Sequence, residues 1–325
     1  MAVATATPET TVRTPAGRRP VSLNRLARIV TMLLVAAAFV FPIIGFVAMA
    51  FRDADDVAAG TGGFLGLGGV SWDHARYSWS QVNGFGPGAG GLFTQWMINS
   101  LVISVGGALI AVVAAIPAGY AMARLRFRGR RILLFVTLLA MVMPNTVLVI
   151  PLFLEVAAIG AVGQLWPVVV IMGFFPFGAY LAYIHFMTTM PLELVAAARI
   201  DGLNEISIFT KVAIPISKQA VALVAFFSFV ANWTNFFLPL ALLSSNQNNK
   251  TVSIGLQELI GASPLFNPTV AAGLNVKLYI PQLALATFIS MLPLPIVQLE
   301  AQRFLRITRP HRFHWDDLAV AEPAE

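Results

Sequence analysis

Cysteine is absent from the 325 residues, which excludes disulfides, thiolate metal sites and cysteine nucleophiles. Charge is scarce. Only 11% of residues are charged against 58% hydrophobic, a balance too apolar for a soluble domain and suited to a bilayer. Enzyme signatures are missing as well: there is no His-Glu-x-x-His zinc site, no Gly-x-Ser-x-Gly elbow and no Gly-Lys-Ser or Gly-Lys-Thr phosphate loop. The four histidines, His74, His185, His311 and His314, fall outside the interiors of the apolar runs. His311 and His314 stand at helical spacing, but in a tail without apolar periodicity, so no metal site is assigned. A proton-coupled carrier would want a carboxylate in mid-membrane. Glu155 and Glu300 lie only at the ends of runs, which argues against secondary transport.

What the chain does have is long runs without charge. Ile29 to Phe51, Leu92 to Ala123, Ile132 to Leu154, Val156 to Ile184, Gln219 to Asn249 and Leu278 to Leu299 each reach the roughly 20 residues that a spanning helix needs. Six transmembrane helices are expected. A further stretch, Leu259 to Val276, is broken by Ser263-Pro264 and Asn267-Pro268 and reads as a loop with turns. Basic residues gather in alternate gaps between runs, leaving only Arg52, Arg76, Lys250 and Lys277 on the other side. Because short cytoplasmic loops carry such residues, both termini are expected in the cytoplasm. This explains the basic pI without nucleic acid. Residues 1-24 and 310-325 lack apolar periodicity and are expected to be disordered, flanking a membrane domain over 25-309. Ala48-Met49-Ala50 offers a superficial signal-peptidase site, yet the apolar core before it is longer than a signal peptide's, and a retained anchor is expected. Glycine-rich runs between Gly60 and Gly91 lack the strand, helix and lysine of a nucleotide site. Trp72, Tyr77 and Trp79 among them suit the membrane interface or an outside partner.

One polar segment interrupts this pattern: Pro191 to Pro215, PLELVAAARIDGLNEISIFTKVAIP. Proline opens a helix on which Leu194, Ala197, Ala198 and Ile200 can share an apolar face. Asp201-Gly202 should end that helix, and Ile206, Phe209 and Val212 mark a second amphipathic run up to Ile214-Pro215. A helical elbow is expected at the membrane face.

The order Ala197-Ala198, Gly202, Val212-Ala213-Ile214-Pro215 resembles the EAA loop of ABC importer permeases. The resemblance extends over roughly Trp96 to Leu305. Asn99-Ser100, Tyr120-Ala121-Met122-Ala123-Arg124-Leu125-Arg126-Phe127, Met143-Pro144, Pro151-Leu152-Phe153, Asn235-Phe236-Phe237-Leu238-Pro239-Leu240 and Thr251-Val252-Ser253-Ile254-Gly255-Leu256 are similar to the carbohydrate-uptake branch, of the maltose-transporter type. Two departures stand out. Ala196 replaces the motif's glutamate, leaving Glu193, about one turn upstream, as the nearest acid. Phe304-Leu305-Arg306-Ile307 replaces the usual arginine-glycine ending.

The resemblance implies an all-α, type I ABC importer permease in a bacterial inner membrane, with Glu193, Leu194, Ala197, Ala198, Asp201, Gly202 and Phe209 coupling to an ATPase. It further implies a second, homologous permease subunit, two ATP-binding subunits and an extracytoplasmic solute-binding protein. This chain would bind no cofactor, ATP and Mg being held by the partner ATPase.

Polar groups inside a bilayer are costly unless they face a cavity or another helix. Asn145, Asn232, Trp233, Asn235, Gln282, Thr287 and Ser290 are uncharged and suit a neutral hydroxylated solute such as a sugar; hydrogen bonding between helices is the competing reading for each. Phe174, Phe175, Phe177 and Tyr180 suit a gate or ordinary packing. Pro144, Pro151, Pro176 and Pro239 are expected to loosen runs three to five. Two rivals remain: an importer permease for a phosphodiester or peptide, and a membrane-embedded enzyme acting on lipid-linked substrates, which would lack a nucleophile and base in one place.

Overall fold

The computed structural model describes residues 23–60, 69–86, 91–271 and 278–307. The two termini up to residue 22 and from residue 308, much of the first glycine-rich run, Lys277, His311 and His314 lie outside these. Among the described residues there is no strand. The chain divides into two units at Phe46 and Val47. The first unit holds helix α1, Leu23–Met49, as far as Phe46. It begins two residues before the boundary expected at residue 25.

The second unit opens with short helices α2, Ala54–Ala58, and α3, Trp72–Asn83. The axis of this unit is α4, Leu92–Arg124, whose 33 residues extend about 50 Å at 1.5 Å per residue. Then come α5, Arg130–Val142, a 3-10 turn Asn145–Leu148, and α6, Val149–Ala158. Helices α7, Leu165–Met172, and α8, Pro176–Thr189, follow. The elbow comprises α9, Leu192–Ile200, α10, Glu205–Ile208, a π-helical turn Phe209–Ala213 and α11, Ile214–Ile216. Beyond it lie α12, Lys218–Trp233, α13, Phe237–Leu243, a 3-10 turn Gln247–Asn249, α14, Val252–Gly261, and α15, Pro268–Ala271. The last pair is α16, Ile280–Met291, and α17, Pro293–Ile307.

Among the described residues, four helical stretches are long and apolar enough to cross a membrane: Ala27–Met49, Leu92–Arg124, Leu165–Thr189 and Ile280–Leu305. Two bent pairs bring the number to six if each is one span. Arg130–Val142 and Asn145–Ala158 meet at 94°, and Glu205–Ile216 meets Lys218–Trp233 at 78°. The first bend falls at Met143-Pro144, where proline supplies no N–H and its ring collides with the preceding turn.

Absence of charge alone overran the helices in two places. The run from Val156 to Ile184 contains a turn at Gly160 and Gly163, both at positive φ, so its helix starts only at Leu165. The run from Gln219 to Asn249 breaks between Trp233 and Phe237 and ends its second helix at Leu243. Neither break needs a charged residue, so neither shows in a charge count.

Packing centres on α4, which lies against α7, α8 and α12. Small residues set these approaches. A Cβ added at Gly119 would lie 2.5 Å from that of Ala182 on α8, and one at Gly107 would lie 2.5 Å from the Asn232 amide on α12. Close small-residue seams are how helices associate where lipid removes the hydrophobic drive.

Candidate functional site

The elbow forms where expected, and local chemistry explains each turn of it. Helix α9 stops at Asp201 because Gly202 takes φ +82°, a left-handed geometry that glycine adopts at little cost. Asn204 restarts the chain as an N-cap: its side chain accepts a hydrogen bond from the Ser207 N–H at 2.8 Å. The π turn follows from Pro215, which cannot donate to residue 211, so the ladder widens there and Ile214 N–H reaches Phe209 O instead.

An ion pair spans the break. Arg199 Nε on α9 donates to Glu205 Oε1 on α10 at 2.8 Å, while Glu205 Oε2 is buried without a hydrogen-bond partner. With both side chains about half exposed, the pair contributes little stability; it ties the two arms together across the break.

Beneath the elbow lies an apolar cluster built by Ile116 and Tyr120 of α4, Phe186 of α8, Val195 and Ala198 of α9, and Ile208 of α10. The Tyr120 ring meets Phe186 at 5.4 Å and Phe209 at 5.1 Å between centroids. Arg124, in the last turn of α4, caps the end of α8: its guanidinium donates to the carbonyls of Phe186 at 2.5 Å, Met187 at 3.2 Å and Met190. Phe186 O also accepts from the Met190 N–H at 3.4 Å, whereas the carbonyls of Met187 and Met190 are among those a helix end cannot satisfy for itself.

The inward face of α9 differs from the expected one. Val195 and Ala198 point inward, whereas Leu194, Ala197 and Ile200 are exposed, Ile200 at 86%. An i,i+3 pair suffices to seat so short a helix, and the remaining apolar residues are left outside with Leu192 and Ile206. Glu193, Asp201 and Gly202 are also exposed, while Phe209 is half-buried.

The polar candidates of the apolar runs scatter. Asn145 is exposed in the 3-10 turn after the α5 bend. Asn235 is half-buried and accepts a hydrogen bond from Leu238 N–H at 3.4 Å at the start of α13. Asn232 is buried against Gly107, with Ser228 Oγ at 3.5 Å. Trp233 is buried, stacks on Phe229 at 5.7 Å and donates its indole N–H to Ser290 O at 3.1 Å. Gln282 is buried and accepts from Tyr279 N–H at 3.0 Å, capping α16, while Ser290 Oγ donates to Thr287 O at 2.7 Å. Asn232, Trp233 and Ser290 thus join α12 to its neighbours α4 and α16. Of the aromatic candidates, Phe174 is 75% exposed, and Phe175 and Phe177 meet edge to face.

Far from the elbow, the other end of α4 carries a polar lock that residue counting missed. Asn99 Nδ2 donates to Asn248 O at 2.6 Å and to Lys250 O at 2.9 Å, Ser100 Oγ accepts from Val252 N–H at 2.8 Å, and Trp96 Nε1 donates to Gln247 O at 3.2 Å. Lys250 is buried and paired with Glu258 and with Gln247 Oε1. A Cβ on Gly255 would lie 1.9 Å from the Trp96 ring. Asn99-Ser100 stands out in the sequence as a motif. Its partners, about 150 residues away, could not be read from the sequence.

The model of the family described as "Binding-protein-dependent transport system inner membrane component" matches residues 115–297. The chain belongs to this family. Its members are permease subunits of ABC importers rather than enzymes, and the matched range holds both the elbow and the cluster beneath it. Among named relatives, the maltodextrin transport system permease protein MdxG of Bacillus subtilis (strain 168) is 28% identical over 242 residues, 73% of this chain and 81% of that one. The trehalose transport system permease protein SugB of Mycobacterium tuberculosis (strain CDC 1551 / Oshkosh) is 33% identical over 189 residues, 57% of this chain and 68% of that one. A chain from the crystal structure of a bacterial ABC transporter that imports the acidic polysaccharide alginate superposes with TM-score 0.71 at 22% identity, covering 89% of this chain and 99% of that one. The fold is that of a multi-pass importer permease.

Proposed function

We propose that this permease is a transmembrane subunit of an ATP-driven importer for a sugar or oligosaccharide, and that the elbow at residues 191–215 receives the stroke of a separate ATPase. The observation that carries this reading is the elbow itself: a seated helix pair that leaves Leu192, Leu194, Ile200 and Ile206 exposed. Such a patch on a polar segment marks a protein interface. Relatives that carry maltodextrin and trehalose support a carbohydrate as cargo.

In this reading the chain crosses a bacterial inner membrane six times within residues 25–309, with both termini cytoplasmic. A second homologous permease completes the path, two ATP-binding subunits hold ATP and Mg, and an extracytoplasmic binding protein delivers solute; this chain itself binds no cofactor. Glu193, Leu194, Ala197, Ala198, Asp201, Gly202 and Phe209 form or support the ATPase contact. Closure of the ATPases on ATP turns the permease outward to receive solute, and hydrolysis resets it. Asn145 and Asn235 are the path candidates with open side chains; Asn232, Trp233, Gln282 and Ser290 reach solute only if the helices they join separate.

Affinity purification of the tagged chain in mild detergent, with mass spectrometry of what remains bound, tests the assignment. An ATPase subunit should be recovered, and should be lost on Ile200→Asp with Ile206→Asp while the second permease stays. A chain that emerges alone, under conditions that preserve other transporters, overturns it.

A further inference from the structure

The junction of α4 and α5 carries Arg124, Arg126, Arg128, Arg130 and Arg131, and these arginines do not all behave alike. Arg124 caps α8, and Arg130 donates to Ala123 O at 3.3 Å and lies 3.9 Å from Met187 Sδ. Both are committed to the fold. Arg126, Arg128 and Arg131 are exposed and make no salt bridge among the described residues.

The three free guanidinium groups, with Arg130, Phe127, Gly129 and Ile132, line an open cavity of about 600 Å³. Directly beyond its rim rises α5, whose Ile132 is 69%, Phe135 65% and Val136 51% exposed. Cationic hollow and apolar ridge are therefore continuous, with no polar residue between Arg131 and Thr137.

We propose that this cavity is a binding site for the headgroup of an anionic phospholipid, with its acyl chains laid along α5. Guanidinium groups hold phosphate oxygens in charge-assisted, bidentate geometry. A protein partner with acidic residues could neutralise the arginines equally well. It would not call for the apolar run of α5 that starts one residue after Arg131, whereas a phospholipid presents a phosphate and a hydrocarbon chain in that order. The free arginines also sit where juxtamembrane basic clusters attract anionic lipid, an effect worth about fivefold in affinity per residue.

The test uses the full-length purified chain, with whatever subunits it carries out of the membrane, in vesicles of phosphatidylcholine containing a minority of phosphatidylglycerol. A photoactivatable phosphatidylglycerol and its phosphatidylcholine counterpart are compared by mass spectrometry of the labelled peptides. The phosphatidylglycerol probe should label the segment from Phe127 to Phe135 preferentially. Arg126→Gln, Arg128→Gln and Arg131→Gln should each lower that preference about fivefold, and the three Arg→Lys changes should keep most of it. Unchanged phosphatidylcholine labelling of α16 and α17 shows that the variants are inserted and folded. Equal labelling by both probes, or protection from both with a cross-link to another subunit, overturns the proposal.

Discussion

The two ends of α4 are finished in opposite ways. At the Trp96 end, side-chain hydrogen bonds and a buried ion pair lock the loop from Gln247 to Val252 in place. At the Tyr120 end, about 36 Å away along the helix, apolar packing seats the elbow, one half-exposed ion pair ties its arms together, and large aliphatic side chains stand bare. The first end is tied to its neighbours by polar contacts within the chain; the second leaves Leu192, Ile200 and Ile206 exposed on a polar segment. Under the proposed function, a locked end and an open one are what transmission of an ATPase stroke would require.

Substitutions can break that contrast. The largest loss should come from Gly255→Ala, whose new methyl overlaps the Trp96 ring; overpacking of this kind costs about 1–3 kcal/mol or more, read as lost folded protein in a detergent thermal-stability assay. Asn99→Ala should follow, because two loop carbonyls lose their donor, at about 1–3 kcal/mol in the same assay. At the elbow the order of readouts should reverse. Glu205→Gln leaves thermal stability within about 1 kcal/mol but should lower solute-stimulated ATP hydrolysis by the assembled transporter, because α9 and α10 are no longer tied by an ion pair across the break. Equal thermal losses at both ends would dissolve the distinction. The smallest effect is expected of Ala196→Glu: the residue is exposed, so transport should be unchanged or improved if the ATPase keeps a basic partner for it. A large loss of transport there would show an interface built around alanine.

The elbow was legible because its parts announce themselves: proline opens it and glycine at Gly202 breaks it. Span existence was legible for the same reason, since charge is excluded from long runs. Span boundaries were not, because the turn at Gly160 to Gly163 and the break after Trp233 involve only uncharged residues. The inward face of α9 was misjudged where four apolar residues compete and only Val195 and Ala198 are seated. The polar candidates show a deeper limit: Trp233 and Gln282 were recognisable as unusual in a membrane run, but their partners, Ser290 O and Tyr279 N–H, depend on the packing of α12 and the capping of α16. Lys250 looked like a stray charge until Glu258 closed on it.

The right-angle bend at Met143-Pro144 says something about what surrounds it. Proline has no N–H to return to the carbonyl of Ala140, and residues 142–148 are all exposed. In hydrocarbon an orphaned peptide carbonyl costs several kcal/mol, and among the described residues no donor reaches that of Ala140. Oily side chains therefore mislead about this stretch of surface: Val142 and Val147 look made for lipid, but the backbone between them requires a neighbour that can donate hydrogen bonds, either water in a channel or the flank of another subunit.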